Sequence, residues 1–471
     1  MANSLFKQLK EEAKGNLKSI FSKDNKNGVQ KIAEFLILKN EFKTIPGKKN
    51  HQIFRYNNGV YSTIDSKAII REKTESILEE LCTTHYVNEI VEKIARKTSI
   101  NSEKQKMGDV NKNLICLNNG ILNFRTGELL KHNPKYLFVS KIPVKFEPLA
   151  DCPKIKKFFE DTFLKEDIKI MQEWLGYLLL REYIIKKALI LLGQRDTGKT
   201  TFLNLAIRFI GEENKSGISL QKISQDRFAS ASLDNKHLNS FDDLSFKDIR
   251  DNGAFKMATG GGYIQAEHKF GDHFQFKNFA KLIFAANQIP LMKYDDDAYY
   301  SRWIIINCNN IFDDTNAKKD LHLIKKMTTQ KELSGLLNYA IEGLKRLLKN
   351  GRFSYDRGIE EVRAIMQRSG STLAAFIEDE ICEESDSFIT KQELYDAYLS
   401  YTAEKKTWAT SLQKVSRELP TYLPSVRGKQ RKVINRNGNK IQLRVWENIA
   451  FKKDSKFKNN QAENNKLSFD S

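Results

Sequence analysis

The spacing of apolar residues predicts a helix-rich α+β region in the first part of this chain. Apolar residues recur with helical spacing in four segments: residues 1–24, 29–39, 67–98 and 155–182. The stretch NKNG at 25–28 is expected to break the first helix. FRYNNGVYSTID alternates apolar and polar residues around an Asn-Asn-Gly turn, and LNNGILN repeats this signal, so both predict small sheets. We expect a helix and linker at 1–28 and an α+β domain at 29–182.

Residues 188–206 combine a buried strand, a loop and a helix. Ala188 to Leu192 is an apolar run of strand length, and apolar residues recur with helical spacing in the residues that follow the loop. The loop GQRDTGKT fits the pattern G-x-x-x-x-G-K-[ST], whose glycines let successive N–H groups face an anion at the positive end of the next helix. This pattern predicts a triphosphate site formed by Gly193, Gln194, Arg195, Asp196, Thr197, Gly198, Lys199, Thr200 and Thr201.

Particular side chains of this region are expected to bind ATP and Mg²⁺. Lys199 can reach the β and γ phosphates, and the Thr200 hydroxyl can complete the coordination of Mg²⁺. HLNSFDDLS predicts a strand that ends in Asp242, the expected magnesium ligand, and Asp243, the expected base. KLIFAAN predicts a further buried strand that ends in Asn287, where a core strand meets the nucleotide. An acidic turn at FDD and a simple turn residue at Asn287 are the alternatives.

Charge points to a polyanionic partner. The chain has 78 Lys and Arg against 59 Asp and Glu, a formal net charge of +19, so nucleic acid is the first expected partner. A solvated lysine-rich surface is the alternative. The five cysteines form no C-x-x-C pair, which argues against a disulfide framework or a zinc site. No apolar run approaches the roughly 20 residues of a membrane span and no signal-peptide core is present, so we expect a soluble cytoplasmic protein.

The last part of the chain predicts a separate module at 371–450, after a basic helical segment at 317–350. Three helices are expected, at 372–382, 391–405 and 410–423, followed by a hairpin around Asn437-Gly438. Helices followed by a hairpin suggest a winged helix. Arg417, Arg431 and Lys432 are among the basic residues suited to phosphate contacts, and a solvated basic face is the alternative. Residues 451–471 are polar and Asn-rich, which predicts disorder.

The ordered series GQRDTGKT, FDD, K-x-A-T-G-G-G-x-I-x-A-E-x-K, LIFAAN and D-x-x-Y-Y-S-R-W resembles superfamily 3 helicases. The resemblance is to the helicase part of phage, plasmid and poxvirus-type primase-helicases, and it covers roughly residues 30 to 445. It implies a multidomain α/β fold with an AAA+ P-loop ATPase core at 183–350, between the N-terminal α+β domain and the winged-helix-like domain. It also implies a homo-hexameric ring around DNA that moves 3′ to 5′.

The same resemblance implies roles for single residues. Asp242 and Asp243 would form Walker B, Asn287 would be sensor 1, and Arg302 would be an arginine finger acting on a neighbour's γ-phosphate. The alternative for Arg302 is a structural ion pair with one of the aspartates at 295–297. The expected DNA contacts of the pore are His268, Lys269 and Phe270 on a hairpin, and Phe228 as a second pore-loop aromatic.

The sequence departs from the family pattern at three places. Gly262 stands where an acid is usual, Ser301 stands where a second arginine is frequent, and Walker B carries aspartate where glutamate is frequent. Only about thirty residues precede the shared region, so no priming activity is expected and a separate primase or polymerase becomes a candidate partner.

Three functions are consistent with these patterns. The leading one is an ATP-dependent replicative DNA helicase of a mobile element or virus, acting on single-stranded and forked DNA. The second is an origin-binding initiator whose ATPase controls assembly rather than unwinding. A P-loop kinase or metabolic ATPase is the third, and it leaves the net charge and the basic hairpin unexplained.

Overall fold

The computed structural model describes residues 2–47, 51–101, 107–108, 110–244, 252–267, 273–289, 296–312, 320, 322–405, 407, 409–434 and 440–457. Contacts between residues divide the chain into two compact units. The first comprises Met1–Asp242, Asp251–Ala285 and Ile304–Asp356, and the second Asp243–Arg250, Ala286–Trp303 and Arg357–Ser471. The protein is therefore a mixed α/β chain with more than one compact part.

The N-terminal part of the first unit is helical with a small sheet. Its elements are α1 (Ala2–Lys23), α2 (Asn25–Lys39), β1 (Phe42–Ile45), β2 (Gln52–Asn57), β3 (Val60–Ser62), α3 (Ser66–Leu78) and α4 (Thr84–Lys97). β1, β2 and β3 pair antiparallel in chain order. The predicted helices and the hairpin at the Asn-Asn-Gly turn are confirmed. A hydrophobic cluster that includes Phe21, Ile32, Ile70 and Ile90 holds these elements together.

The stretch NKNG does not act as a break between helices, contrary to the prediction. α2 already begins at Asn25, because the Asp24 carboxylate accepts hydrogen bonds from the backbone N–H groups of Lys26 and Asn27, at 3.0 and 3.1 Å. At Gly28 a Cβ atom would come within 2.4 Å of the Cα atom of Phe21. Asp24 therefore caps α2, and the glycine allows α1 to pass close to it.

A second group of elements in the first unit precedes the predicted ATPase core. It contains β4 (Leu114–Leu117), β5 (Gly120–Asn123), β6 (Leu129–Leu130), α5 (Pro153–Thr162) and α6 (Lys165–Leu178). Most of their buried apolar side chains share one core with the central sheet, because Leu117, Phe159 and Trp174 belong to the same hydrophobic cluster as Leu191 and Phe202. A smaller separate cluster consists of four residues, Leu114, Cys116, Ile121 and Phe138. The predicted domain boundary between residues 182 and 183 stays a prediction, and this cluster crosses it.

The central sheet of the first unit has five strands in the order β13-β7-β12-β9-β8, within the described residues. The β12–β9 and β8–β9 pairs are parallel. The elements of this region are β7 (Ala188–Leu192), α7 (Lys199–Ile210), β8 (Lys215–Ser216), α8 (Leu220–Gln225), α9 (Arg227–Ala231), β9 (Leu238–Phe241), α10 (Gly253–Gly260), β10 (Tyr263–Glu267), β11 (His273–Lys277), β12 (Lys281–Ala286), β13 (Trp303–Asn307), α12 (Leu323–Met327) and α13 (Gln330–Asn350). The short helix α11 (Asp297–Tyr300) lies between β12 and β13 in sequence but belongs to the second unit.

Helices α6 and α13 approach each other unusually closely. A Cβ atom on Gly176 would lie 2.3 Å from the backbone oxygen of Ala340, and one on Gly343 would lie 2.5 Å from the backbone oxygen of Gln172. The side-chain amide of Gln172 donates a hydrogen bond to the Tyr339 carbonyl at 2.9 Å. Glycine at both positions is therefore required for the backbones of these helices to meet.

Buried polar groups hold the carboxyl end of α6. The Leu178 carbonyl lies 2.9 Å from Nδ1 of His237, and because a carbonyl can only accept, Nδ1 carries the proton. Nε2 is then the acceptor for the Ser140 hydroxyl at 2.9 Å, and the Ser140 oxygen accepts from Arg181 at 2.5 Å. Burial, together with the Arg181 guanidinium, lowers the pKa of His237 to about 3.

A buried lysine binds the chain just beyond α6. Nζ of Lys281 donates to the carbonyls of Leu180 and Glu182, the second at 2.8 Å, and it lies 4.5 Å from the centre of the Tyr177 ring. Lys281 is fully buried, and this burial lowers its pKa well below the usual range. His237 and Lys281 therefore anchor α6 to the starts of β9 and β12.

The second unit contains the predicted C-terminal module. Its elements are α14 (Ile359–Gly370), α15 (Thr372–Glu380), β14 (Ile381–Thr390), α16 (Lys391–Glu404), α17 (Leu412–Tyr422), β15 (Arg427–Ile434) and β16 (Lys440–Phe451), and α11 also belongs to this unit. The three strands form an antiparallel sheet in the order β14-β16-β15. The three predicted helices and the paired strands of the predicted hairpin are confirmed. The hairpin turn at Asn437-Gly438 lies outside the described residues.

Two features of this module differ from the prediction. β14 follows α15 directly and was not predicted, because its register is provided by distant pairing with β16, as in the pair of Ile389 with Trp446. Residues 451–457, predicted as part of a disordered tail, instead pack on the module because Phe457 is buried against Phe451, with ring centres 6.0 Å apart. Among the described residues of the whole chain, every helix is too short or too polar to cross a bilayer.

Candidate nucleotide-binding site

The loop between β7 and α7 requires glycine at two positions. A Cβ atom on Gly193 would lie 2.3 Å from the carbonyl oxygen of Cys308, and Gly198 has φ +84°, in the left-handed region. The predicted order of strand, loop and helix is confirmed. Because the first N–H groups of α7 have no partner within the helix, this loop presents backbone donors and the positive end of the helix dipole to an anion.

Lys199 is folded onto the carbonyl and hydroxyl oxygens of its own loop. Its Nζ donates to the carbonyl of Gly193 at 2.8 Å, to that of Gln194 at 2.5 Å and to Oγ1 of Thr197 at 3.2 Å. The residue is 7% exposed, and burial lowers its pKa. An ammonium group held by three neutral oxygens can exchange them for phosphate oxygens, which carry full charge and bind it more strongly.

Thr200 and Asp242 are 42 residues apart in sequence and directly hydrogen-bonded. Oγ1 of Thr200 donates to Oδ2 of Asp242 at 2.8 Å, and both residues are exposed. Thr200 lies in the first turn of α7, and Asp242 follows the carboxyl end of β9. A hydroxyl and a carboxylate are the hard oxygen ligands that Mg²⁺ prefers, and Mg²⁺ takes its remaining ligands from water and nucleotide phosphates. These residues therefore fit the expected metal-bound nucleotide.

The remaining predicted catalytic residues belong to the second compact unit. Asp243 has φ +63°, and Asn287 is exposed and directly follows β12. Arg302 follows α11 and donates from its guanidinium to the Ala298 carbonyl. The predicted residues that the structure brings together are thus Lys199, Thr200 and Asp242.

The acids near Arg302 have their own contacts. The Asp296 carboxylate caps α11 by accepting from the Ala298 N–H at 2.9 Å, and Asp297 forms an ion pair with Arg363. Asp295 lies outside the described residues. The assignment of Arg302 as an arginine finger therefore stays a prediction.

The predicted DNA-contacting hairpin is present as a pair of strands. β10 and β11 pair antiparallel from Tyr263↔Lys277 to Glu267↔His273. Three of the predicted contact residues, His268, Lys269 and Phe270, lie outside the described residues, between the two strands. Phe228 lies on α9 and is 46% exposed, as are several other large apolar side chains of the described residues.

The predicted contact residues of the C-terminal module lie on two different elements. Arg417 is exposed on α17, where it forms an ion pair with Glu418 at 3.4 Å. Arg431 and Lys432 lie on the edge strand β15, and their side chains are not among those that the structure describes. Their contribution to DNA binding stays a prediction.

Three residues contact the loop at 193–200, which we call the phosphate loop, and none of them was predicted from the sequence. The Phe312 N–H donates to the Asp196 carbonyl at 2.9 Å, and the Cys308 N–H donates to the Leu192 carbonyl at 2.7 Å. Thr162 lies against the loop, 2.9 Å from where a Cβ on Gly198 would be. All three are far from the loop in sequence and are of common residue types, so no local pattern identifies them.

Comparison with known proteins supports a viral helicase relationship. Residues 18–164 match the model of a family described as D5 N terminal like, and residues 191–302 match a family of unknown function, DUF5906. A curated protein of Sputnik virophage that carries a helicase name is 25% identical over 268 residues, which are 52% of this chain and 34% of the relative. The chain thus matches about a third of the length of that relative.

Solved structures give a weaker likeness. Two apo structures of the NrS-1 C-terminal region are each 15% identical to this chain, with TM-scores of 0.49 and 0.48, over 88% of this chain and 98% of theirs. The D5-type match and the helicase-named relative agree with the motif series and confirm the resemblance: this chain is similar to the helicase part of phage and viral primase-helicases of superfamily 3.

Proposed function

We propose that this chain is an ATP-dependent replicative DNA helicase of a virus or mobile element. The observation that carries the proposal is the hydrogen bond of 2.8 Å between Thr200 and Asp242, beside a buried Lys199 on the same loop. A phosphate-reaching lysine together with a hydroxyl–carboxylate pair is the arrangement that a Mg²⁺-nucleotide requires.

The residues of the site would act in the following way. Lys199 exchanges its loop oxygens for the β and γ phosphates, while Thr200 and Asp242 hold Mg²⁺. Bound Mg²⁺-ATP would supply the energy for movement when water cleaves the bond between its β and γ phosphates, which releases ADP and phosphate. Asp243 orients the attacking water and accepts its proton, and Asn287 contacts the same water or the γ-phosphate from the end of β12.

The proposed assembly is a hexameric AAA+ ring around DNA that moves 3′ to 5′. In such a ring Arg302 of one subunit stabilises negative charge on the γ-phosphate bound by its neighbour. The proposal rests on the resemblance of the motif series and on the helicase-named relative. The ATPase core at 183–350 and the winged-helix-like domain at 371–450 are part of the same proposal.

DNA would be bound in two places. The hairpin of β10 and β11 would reach DNA in the pore through Lys269, and Phe228 would offer a ring on which bases stack. The C-terminal module would bind duplex phosphates with the basic residues of α17 and β15, and a net charge of +19 favours such binding. A separate primase or polymerase is a further proposed partner.

ATP-dependent displacement of a labelled strand from forked DNA tests the proposal. The wild-type chain is expected to displace the strand, and Lys199→Ala is expected to abolish both ATP hydrolysis and displacement while leaving the fold intact. The matched control is Lys157→Ala, which removes an exposed lysine paired with Asp161 at 2.6 Å in the same unit. It should hydrolyse ATP and displace the strand at the wild-type rate.

Two results would contradict the proposal. Hydrolysis by Lys199→Ala at the wild-type rate would remove the ATPase assignment. Hydrolysis without strand displacement by the wild-type chain, on forks of either polarity, would instead favour an origin-binding initiator whose ATPase controls assembly.

A further inference from the structure

The segment that carries Arg302 is grouped with the C-terminal module rather than with the phosphate loop. Contacts place Ala286–Trp303 in the same compact unit as Arg357–Ser471, although residues 304–356 lie between them in sequence and belong to the first unit. Within the second unit, α11 packs against α14, and α14 packs against α15 of the module. α14 therefore lies between Arg302 and the rest of the module.

Arg363 on α14 contacts both ends of α11. Its guanidinium is paired with Asp297 in the first turn of α11 and with Glu360 on α14. It also lies 5.0 Å from the centre of the ring of Tyr300, the last residue of α11. The Arg363 side chain is 16% exposed, so the contacts of this planar, multi-donor group are partly shielded from water.

The position of Arg302 depends on α11. Its backbone N–H donates to the Tyr299 carbonyl at 3.1 Å, and its guanidinium donates to the carbonyl of Ala298. The Tyr299 ring is buried and packs edge-to-face on the ring of Trp303, with centres 5.7 Å apart. Because the side chain and backbone of Arg302 are both tied to this one short helix, a displacement of α11 moves the guanidinium.

The contacts continue from α14 into the module. Arg368 on α14 is paired with Glu378 and Asp379 on α15, each at 2.8 Å. The second carboxylate oxygen of Asp379 accepts from the Tyr401 hydroxyl on α16 at 2.6 Å. Helix α14, through Arg363 at one position and Arg368 at another, thus joins α11 to α15 and α16 within one compact unit.

We propose that Arg363 is a positioning residue for Arg302, and that α14 links the placement of the arginine finger to the C-terminal module. The proposal rests on the proposed function, in which Arg302 acts on the nucleotide of a neighbouring subunit. Arg363 itself touches neither nucleotide nor DNA in this scheme. It holds α11 so that the Arg302 guanidinium reaches the γ-phosphate when subunits assemble.

Steady-state ATP hydrolysis by the full-length Arg363→Ala chain tests this assignment. A misplacement of about 1 Å costs up to roughly a hundredfold in rate, so kcat should fall by about ten- to a hundredfold. KM for ATP should change little, because the phosphate loop of each subunit is intact. Loss of the finger itself in Arg302→Ala should cost more, about a thousandfold or above.

Mixing and combining variants separate positioning from general structural damage. Arg363→Ala subunits mixed with Lys199→Ala subunits should regain hydrolysis, because an intact loop then meets an intact finger at some interfaces. The double variant Arg302→Ala/Arg363→Ala should be no slower than Arg302→Ala, since Arg363 acts only through Arg302. A further loss in the double variant, or no gain on mixing, would overturn the proposal.

A matched control and a second variant complete the test. Arg357→Ala breaks an ion pair of 3.2 Å with Glu361 of α14 and should keep the wild-type kcat. Asp297→Asn removes the carboxylate charge at α11 with almost no change in size. If Arg363→Ala does not fold, this variant replaces it, and it should likewise lower kcat with little change in KM for ATP. An unchanged kcat in both Arg363→Ala and Asp297→Asn, with Arg302→Ala inactive, would overturn the positioning role alone. A fully active Arg302→Ala would instead overturn the finger assignment in the proposed function.

Discussion

The buried imidazole of His237 should make the first compact unit sensitive to mildly acidic pH. Its pKa is lowered from 6.5 to about 3 by burial and by the charge of Arg181, and Nε2 accepts a hydrogen bond from Ser140. Since the folded pKa lies below the unfolded one, unfolding takes up a proton at pH values between them. The stabilisation that the neutral His237 ring contributes to the fold is complete above pH 6.5 and is lost as the pH falls toward about 3.

The size of this effect follows from the shift. Each pH unit below the unfolded pKa costs roughly 1 to 2 kcal/mol of the free energy of unfolding, until the folded pKa is reached. Between about pH 7.5 and pH 5.5 one buried histidine should therefore remove on the order of 1 kcal/mol. That amount is a measurable part of the roughly 5 to 15 kcal/mol by which domains are stable.

The assay compares the wild-type chain with His237→Gln in urea at both pH values. Hydrogen–deuterium exchange of peptides from α6 and β9, read by mass spectrometry, reports unfolding of the elements that His237 connects. The variant should be less stable at neutral pH, because glutamine does not reproduce the hydrogen bonds and packing of the ring, but its stability should fall less on acidification. His85→Gln, which removes a histidine whose side chain is 80% exposed, is the matched control. Equal pH dependence in the wild type and His237→Gln would show that protonation of His237 does not cause the loss of stability.

Three further outcomes are expected. Thr200→Ala should raise the Mg²⁺ concentration needed for half-maximal ATP hydrolysis by about tenfold or more, and an unchanged Mg²⁺ titration would exclude Thr200 as a ligand. In urea titrations, Gly343→Ala should lower the free energy of unfolding by about 1 to 3 kcal/mol, because a Cβ atom there meets the backbone of α6. Gly15→Ala is the control: a Cβ atom at Gly15 has nothing within 4 Å, so this change should raise the free energy of unfolding by up to about 1 kcal/mol. Replacing Arg427 and Lys429 of β15 together by alanine should lower the salt slope of duplex binding by about one for each phosphate that is no longer bound, and an identical slope would exclude these two residues from the DNA interface.

The parts of the fold that could be predicted are those whose signal is local. The phosphate loop is recognisable because two glycines, a lysine and a threonine occur at fixed spacing between an apolar strand and a helix. The contact of Thr200 with Asp242 depends in addition on the order of strands in the sheet. No single stretch of the sequence indicates that order. The FDD stretch is recognisable only because it lies downstream of the loop.

The parts that could not be predicted depend on distant partners. His237 and Lys281 bind backbone carbonyls 59 and 99 residues away, so their neighbours in sequence carry no sign of their role. A glycine in a polar stretch such as NKNG usually ends a helix, so Gly28 was predicted to be a break. In the structure Gly28 lies within α2, and Phe21 of α1 occupies the space that a side chain at position 28 would need. Arg363 lies on an ordinary amphipathic helix, and its importance appears only through Asp297 and Tyr300.

The glycine contact between α6 and α13 has a consequence for the synthesis of the chain. α6 leaves the ribosome before the first strand of the central sheet, and α13 leaves it after the last strand of that sheet. Until α13 emerges, the surface around Gly176 has no partner, and buried residues such as Trp174 lack part of their cover. The part of the chain that contains the central sheet therefore completes its packing late, and ribosome-bound chains stalled before residue 330 should expose an apolar surface that chaperones bind.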